Sequence, residues 1–576
     1  MRSKEFKIRI LEFDELPTVA VSYAAVSYPW RGVQTGITKR SFHVVGAEGD
    51  ADPVGGLLLR HICAAALEHN CPYLWLDRLC IMQNKTDAGK EDRRWQIRHM
   101  YQVYKSCKVC IVLPGGLQRL AFIDEPTTWI HRSWTLQETL APPDAVVVFR
   151  WRLGPGNARV PMDGRIGLGS FPITEALHTN GAVMLSLRLL LVASAVGSMI
   201  FKPNAPGKEE VLVRVSIFSA HPPPLWYDSS KTTQPRILAT NVCALCMAME
   251  PGVMADPERR RHAVWQSALM RTSSRPVDMV FSIMGLFDVE LDPGVFHKDD
   301  RRGATIELAR AILKAGGQAT WLGLACRVPP DRSLSAFPTF PRTTVSGKAL
   351  VDLGKDRIQE ISELMEPVYP VAEKLVPLPK GAMDANGCLM VSMKSTHIRQ
   401  MQVAAPLPDN ILPALDGSFW QLDECDGQPT AFVALLGWFH WYYPGLAVSE
   451  DDTRNIRLVL LESSSKQGEQ VGDVDQVPLT CRVRSFIYLH QSKKETVLQW
   501  PEKSFRIGAA DVELEQNAYE EISPWPVNSS GNTFVSECMR RAQEARPYKT
   551  VETLALPNNA IDGSNSPFRY EGRLMG

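Results

Sequence analysis

Short apolar runs alternate with amphipathic stretches over the first 150 residues. Tyr23 to Tyr28 (YAAVSY) is the first run and ends in polar residues; Tyr73 to Asp77 (YLWLD), Val109 to Leu113 (VCIVL) and Ala145 to Phe149 (AVVVF) follow. Runs this short, apolar throughout and bounded by turn residues, predict strands buried on both faces. Asp52-Pro53, a capping residue followed by proline, predicts a helix start, and Leu58, Ile62, Ala65 and Ala66 then recur at helical spacing to about Asn70, before Cys71-Pro72. Ile97, Met100, Tyr101 and Tyr104 recur at i, i+3, i+4 and i+7 and predict a second helix. A short third helix is predicted over Ser133 to Leu140, ahead of Pro142-Pro143. Strands separated by helices imply an α/β domain whose parallel sheet is flanked by helices, of flavodoxin-like type. Ligands of such sheets bind beyond the carboxyl ends of the strands, and those ends carry Ser27-Tyr28-Pro29-Trp30, Asp77-Arg78 and Pro114-Gly115-Gly116.

Beyond residue 150 the pattern changes. The α/β domain is assigned to 1–150 and a mainly helical region to 151–330. Within the latter, the Gly- and Pro-rich stretch 151–180 reads as a linker, and Arg301 to Gly317 as a helix with a Gly-Gly stop. An irregular, Pro-rich connector (331–410), a β-rich region (411–510, on runs such as AFVALLGWFHWYY, IRLVLLE and RSFIYLH) and a polar, partly disordered tail (511–576) complete the expected organisation. The glycine run at Gly164–Gly169 does not have phosphate-loop spacing.

Charge narrows the function classes. Lys+Arg and Asp+Glu both number 63, a balance that argues against nucleic acid as the main partner. The N-terminus has no signal-like apolar run, and the nearest thing to a membrane span, Met184 to Phe201, carries Arg188 and barely reaches spanning length. It reads as a buried core helix, so no membrane span is expected. The 12 scattered cysteines fit reduced thiols of a cytoplasmic protein. Of two CxxC spacings, Cys107/Cys110 falls on a strand, where residues three apart face opposite ways, and Cys243/Cys246 lacks a partner pair; no metal site is expected. Cys80 has no accompanying His/Asp pair and reads as a buried thiol.

Three blocks of the first domain resemble the HET (heterokaryon incompatibility) domain of filamentous fungi. Tyr23-Ala-Ala-Val-Ser-Tyr-Pro-Trp-Arg-Gly32 is similar to that family's Y-x-A-L-S-Y-x-W-G opening, though Pro29 intervenes before Trp30 and Arg31 before Gly32. Tyr73-Leu-Trp-Leu-Asp-Arg-Leu-Cys-Ile-Met-Gln-Asn84 is similar to W-I-D-x-L-C-I-x-Q, and the family's W…Q-I-x-x-M-x-x-I-Y helix follows at Trp95 to Tyr104. Arg132-Ser-Trp-Thr-Leu-Gln-Glu138 is similar to R-x-W-T-L-Q-E. Arg271 to Leu286 also resembles a segment that often follows HET domains. More remotely, the family resembles TIR domains, many of which hydrolyse NAD with a glutamate in the last of these motifs. Thr135 stands where TIR domains have cysteine, and the glutamate falls one residue earlier.

The resemblance implies a signalling effector of fungal non-self recognition and regulated cell death, working as a homo-oligomer or with a protein partner. It makes NAD a substrate rather than a cofactor, and Glu138 the catalytic residue. Breaking a nicotinamide–ribose bond passes through an oxocarbenium-like state, which one well-placed carboxylate can stabilise. Ser27, Tyr28, Asp77, Arg78 and Trp134 are the expected substrate-binding residues: Arg78 could meet a phosphate, and Trp134, one helical turn before Glu138, could wall the pocket. Gly115 and Gly116 permit close backbone approach. Plainer readings stand beside these. Asp77 could cap a turn or pair with Arg78 or Arg94, Glu138 could pair with Arg132 at the surface, and Trp75, Trp95 and Trp134 fit core positions as well. The alternative function is a non-enzymatic interaction module that oligomerises through the same domain.

Overall fold

The computed structural model describes residues 9–11, 21–33, 41–44, 51–160, 170–173, 181–218, 240–342, 347–354, 357–370, 379–402, 411–422, 430–442, 455–463 and 478–508; the glycine run at 164–169 and the tail from 511 lie outside them. The N-terminal sheet contains β1 (Tyr23–Ser27), β2 (Tyr73–Trp75), β3 (Val109–Val112) and β4 (Ala145–Arg150), parallel in the order β2-β1-β3-β4. A fifth strand, β5 (Ala182–Ser186), adds antiparallel to β4. Helices α1 (Gly56–Glu68), α2 (Asp77–Cys80), α3 (Asp87–Ser106) and α4 (Thr135–Leu140) connect the parallel strands. Successive residues of a strand face opposite sides of the sheet. Ala24 and Val26 therefore pack with Leu58 and Ile62 of α1, and Ala25 with Tyr104 of α3 and Leu136 of α4. Ser27 shares the second face and points to α3 and α4.

Several local expectations are corrected. α1 begins at Gly56 with Gly55 at its N-cap, not at Asp52-Pro53. The Asp52 carboxylate instead accepts the Gly32 N–H at 2.7 Å, and the Gly55 N–H donates to Leu117 O at 2.7 Å, so the turn is tied down before the helix can start. The second strand stops at Trp75, and Asp77 opens the one-turn helix α2. Met184 to Phe201 is not one helix. It contributes to β5, forms α5 (Leu187–Val196), and runs into β6 (Ser198–Pro203) after Gly197 turns the chain at φ +85°. Arg188 pairs with Glu250 at 2.9 Å. Among the described residues no helix is long and apolar enough to cross a membrane. The stretch 151–180 is more than a linker, because Gly156–Arg159 and Phe171–Ile173 join β6 and Val211–Arg214 in a four-stranded antiparallel sheet.

Helices fill the middle of the chain, among them α6 (Thr240–Ala248), α7 (Pro257–Leu269), α8 (Asp278–Met284) and α9 (Arg301–Lys314). α7 starts where Asp256 accepts the N–H groups of Glu258 and Arg259 at 2.9 and 3.0 Å, with Pro257 in the first turn. The C-terminal part is β-rich. β7 (Leu389–Met401), β8 (Ala431–Trp441), β9 (Asn455–Ser463), β10 (Leu479–His490) and β11 (Glu502–Ile507) pair in succession, the last two in parallel, and β11 pairs back to β7. The five strands thus close on themselves. The longest of them, β7, comes from the stretch expected to be irregular: Leu389, Val391 and Met393 are buried, and Met390 and Ser392 between them are exposed. One buried cluster runs from Leu136 in the N-terminal domain through Trp265 to Phe439 in the ring.

Candidate functional site

The site is built at the carboxyl ends of the parallel strands. Ser27, the last residue of β1, is fully buried; its hydroxyl donates to Glu138 Oε2 at 2.5 Å and accepts from Trp129 Nε1 at 2.8 Å. The next residue, Tyr28, donates its hydroxyl to Asp77 Oδ1. Trp30 Nε1 donates to Asp77 Oδ2 at 2.7 Å, and the Arg78 N–H to Oδ1 at 2.6 Å. Asp77 therefore accepts from three donors, which satisfies a half-buried carboxylate. Ser27, Tyr28, Asp77 and Glu138, from three separate blocks of sequence, meet in one cluster.

The electrostatics follow from crowding. Burial pushes the Glu138 carboxyl up to about 8, reinforced by Asp77, while the Ser27 hydroxyl and the cations Arg132 and Arg271 pull the other way. Burial also raises Asp77, against the donors Tyr28 and Trp30, and lifts Tyr28 well above the ordinary phenol range, helped by Asp77. Glu138 keeps its proton more tightly in the fold than in the unfolded chain. The stability it contributes is complete below its ordinary value of 4.5 and is lost as pH rises through about 8. A carboxyl of this kind can hold or release a proton near neutral pH, and once ionised it can stabilise positive charge.

The other expected residues sit differently. Arg78 is 1 % exposed and gives Nη1 to Asp52 O, while its Nε and Nη2 have no hydrogen-bond partner among the described residues. Among the described residues Asp77 makes no ion pair with Arg78 or Arg94, accepting from Arg78 only through its backbone N–H, and Glu138 accepts from Ser27 and makes no ion pair with Arg132. Trp134 turns its indole to Asp278 Oδ2 at 3.3 Å, so the indole against Ser27 is Trp129 instead. The close approach allowed by the glycines is to the first block. Gly116 has φ +85°, and a Cβ on it would lie 2.8 Å from Gly32 Cα. Trp75 packs edge-on against Tyr104, and Trp95 stacks on His99 near the surface.

Sequence reasoning missed Trp129, Arg132, Arg271 and Asp278. Arg132 contributes to the field at Glu138, Asp77 and Asp278 alike. Arg271 and Asp278 belong to the Arg271–Leu286 stretch, where the available signal was the resemblance to a segment that often follows HET domains, which gave these residues no place in the site. Among the described residues no group of three or more His, Cys, Asp or Glu side chains is placed to hold a metal ion.

Residues 23–121 match the family model described as "Heterokaryon incompatibility protein (HET)". No curated protein and no solved structure matches the chain.

Proposed function

Because residues 23–121 match the heterokaryon incompatibility family model, we propose that this chain is a signalling effector of fungal non-self recognition and regulated cell death that hydrolyses NAD at the nicotinamide–ribose bond. The observation that carries the chemical part is the 2.5 Å hydrogen bond between Ser27 and Glu138, in a cluster that also contains Tyr28 and Asp77. The remote likeness of the three blocks to TIR domains supports the same choice of glutamate.

In this reading Glu138 works ionised, beside the anomeric carbon of the nicotinamide ribose. Its carboxyl is high before ligand arrives, and the cationic pyridinium of NAD, entering next to it, favours the carboxylate. The C–N bond breaks and nicotinamide leaves with the electron pair, neutral without needing a proton. The carboxylate stabilises the oxocarbenium-like ribose, and one water adds, giving ADP-ribose and a proton that passes to Glu138 or solvent. The Ser27 hydroxyl holds the carboxylate in place, and the unpartnered nitrogens of Arg78 suit a phosphate of the substrate. Homotypic assembly in the cytoplasm completes the proposal.

The test is incubation of the purified full-length chain with NAD over a range of protein concentrations, with nicotinamide and ADP-ribose separated by chromatography. Wild type should release both in equal amounts, and E138Q should lose the rate by about 100-fold or more. No release at any concentration would leave the N-terminal domain as a non-enzymatic oligomerisation module.

A further inference from the structure

We infer that Arg271, more than a hundred residues beyond the matched segment, is a positioning residue of the Glu138 site: it fastens the turn from which α4 springs and faces Glu138 with a buried positive charge. The inference rests on the reading of Glu138 as the reacting carboxylate.

The geometry begins with the weakness of α4. It has six residues and no side-chain cap at its start, well short of the length at which a helix sustains itself. Its position is therefore set from outside. Arg271 is 1 % exposed, and its Nη1 donates to Arg132 O at 2.9 Å and to Thr135 Oγ1 at 2.6 Å, the two acceptors that bracket the entry to α4. The adjoining backbone joins in: the Thr272 N–H donates to His131 O at 2.6 Å, and the Ser133 N–H to Thr272 O at 2.9 Å. These bonds pin residues 131–135 to the segment leaving α7. Asp278, at the start of α8, extends the contact by accepting from the Trp134 indole.

The charge has a destination as well. Arg271 makes no ion pair among the described residues; burial pushes its guanidinium down to about 9, and the carboxylate that works against this is Glu138. The groups that feel Glu138 come from every element around it: Tyr28 after β1, Asp77 of α2, Tyr104 of α3, Cys110 of β3, and Arg132 and Arg271 as the cations. Without Arg271, Arg132 is the one cation left, beside the Ser27 hydroxyl, to favour ionisation of Glu138 against burial and Asp77.

The experiment is the pH–rate profile of nicotinamide release by full-length wild type, R271Q and R271K, with thermal stability followed over the same pH range in each and in its E138Q counterpart. In R271Q the acid limb should move up by about one pH unit. R271K, which keeps the charge but not the forked geometry, should leave the limb in place and lower the plateau about tenfold. A loss of rate in R271Q with the limb at the wild-type position, as a merely structural role would give, overturns the inference; so does a wild-type plateau in R271K, which decides alone if R271Q does not fold. If wild type releases no nicotinamide, the enzymatic reading has failed, and stability judges the coupling. The window over which the chain loses stability relative to its E138Q counterpart should lie higher in R271Q than in wild type, and an unmoved window overturns the inference.

Discussion

Asp77 and Glu138 share one half-buried cluster but rely on different donors, and substitutions separate them. Tyr28→Phe removes one of three donors to Asp77 and leaves the ring in place. It should cost about 1 kcal/mol in chemical denaturation, because the half-buried Asp77 carboxylate loses one of its three donors. Gly116→Ala tests the joint between the first and third strand ends. With φ at +85° and Gly32 in the way of a Cβ, the change should destabilise the chain by about 1–3 kcal/mol in the same assay. At this scale the sequence was legible where side chains sit at strand ends. Ser27, Tyr28 and Asp77 were found because short apolar strands put the residues after them at a common rim. The contact of Arg78 with the Asp52 carbonyl was not legible, because nothing local announces a partner so far back along the chain. Arg271 was invisible as a site residue, since its contacts to 132 and 135 cross more than a hundred residues.

Among the elements, the parallel strands and α3 were readable because both faces of the sheet, and one face of the helix, follow a clean period. β5 and α5 were not, because eighteen consecutive mostly apolar residues satisfy strand and helix alike; Gly197 marks where α5 ends, but no glycine or proline marks where β5 gives way to α5. β7 was hidden for a different reason: methionines occupy both its buried and exposed positions, which blurs the alternation. β5 has an energetic consequence. Val147 and Phe149 of β4 pair with Leu185 and Val183, so a fragment ending at residue 150 exposes the edge of β4 and the apolar face beneath it. Such a fragment should show no cooperative thermal transition, whereas the full-length chain should show one.

For the whole molecule, a continuous core joins the N-terminal domain to the strand ring, and a charged network is locked inside it. Glu366 accepts from Arg457, Arg327 and Tyr488, and Arg457 is completely buried. Glu366→Ala strands two guanidinium groups without their anion and should cost about 3–5 kcal/mol in global stability, read from the denaturation midpoint. The network lies far from Glu138 in sequence, and the hydrogen bonds of Glu366 and of Glu138 go to different residues, so nicotinamide release per folded molecule should be unchanged.

At the centre of the molecule's proposed chemistry, Glu138 is a half-buried carboxyl coupled to Ser27 and Asp77 in a single site. The measurement is the melting temperature of wild type and E138Q, compared from about pH 5 to about pH 9. A carboxyl raised from 4.5 to about 8 by the fold makes wild type lose stability relative to E138Q as pH climbs across that interval, with the gap levelling off above it. A gap that stays constant throughout would contradict the account.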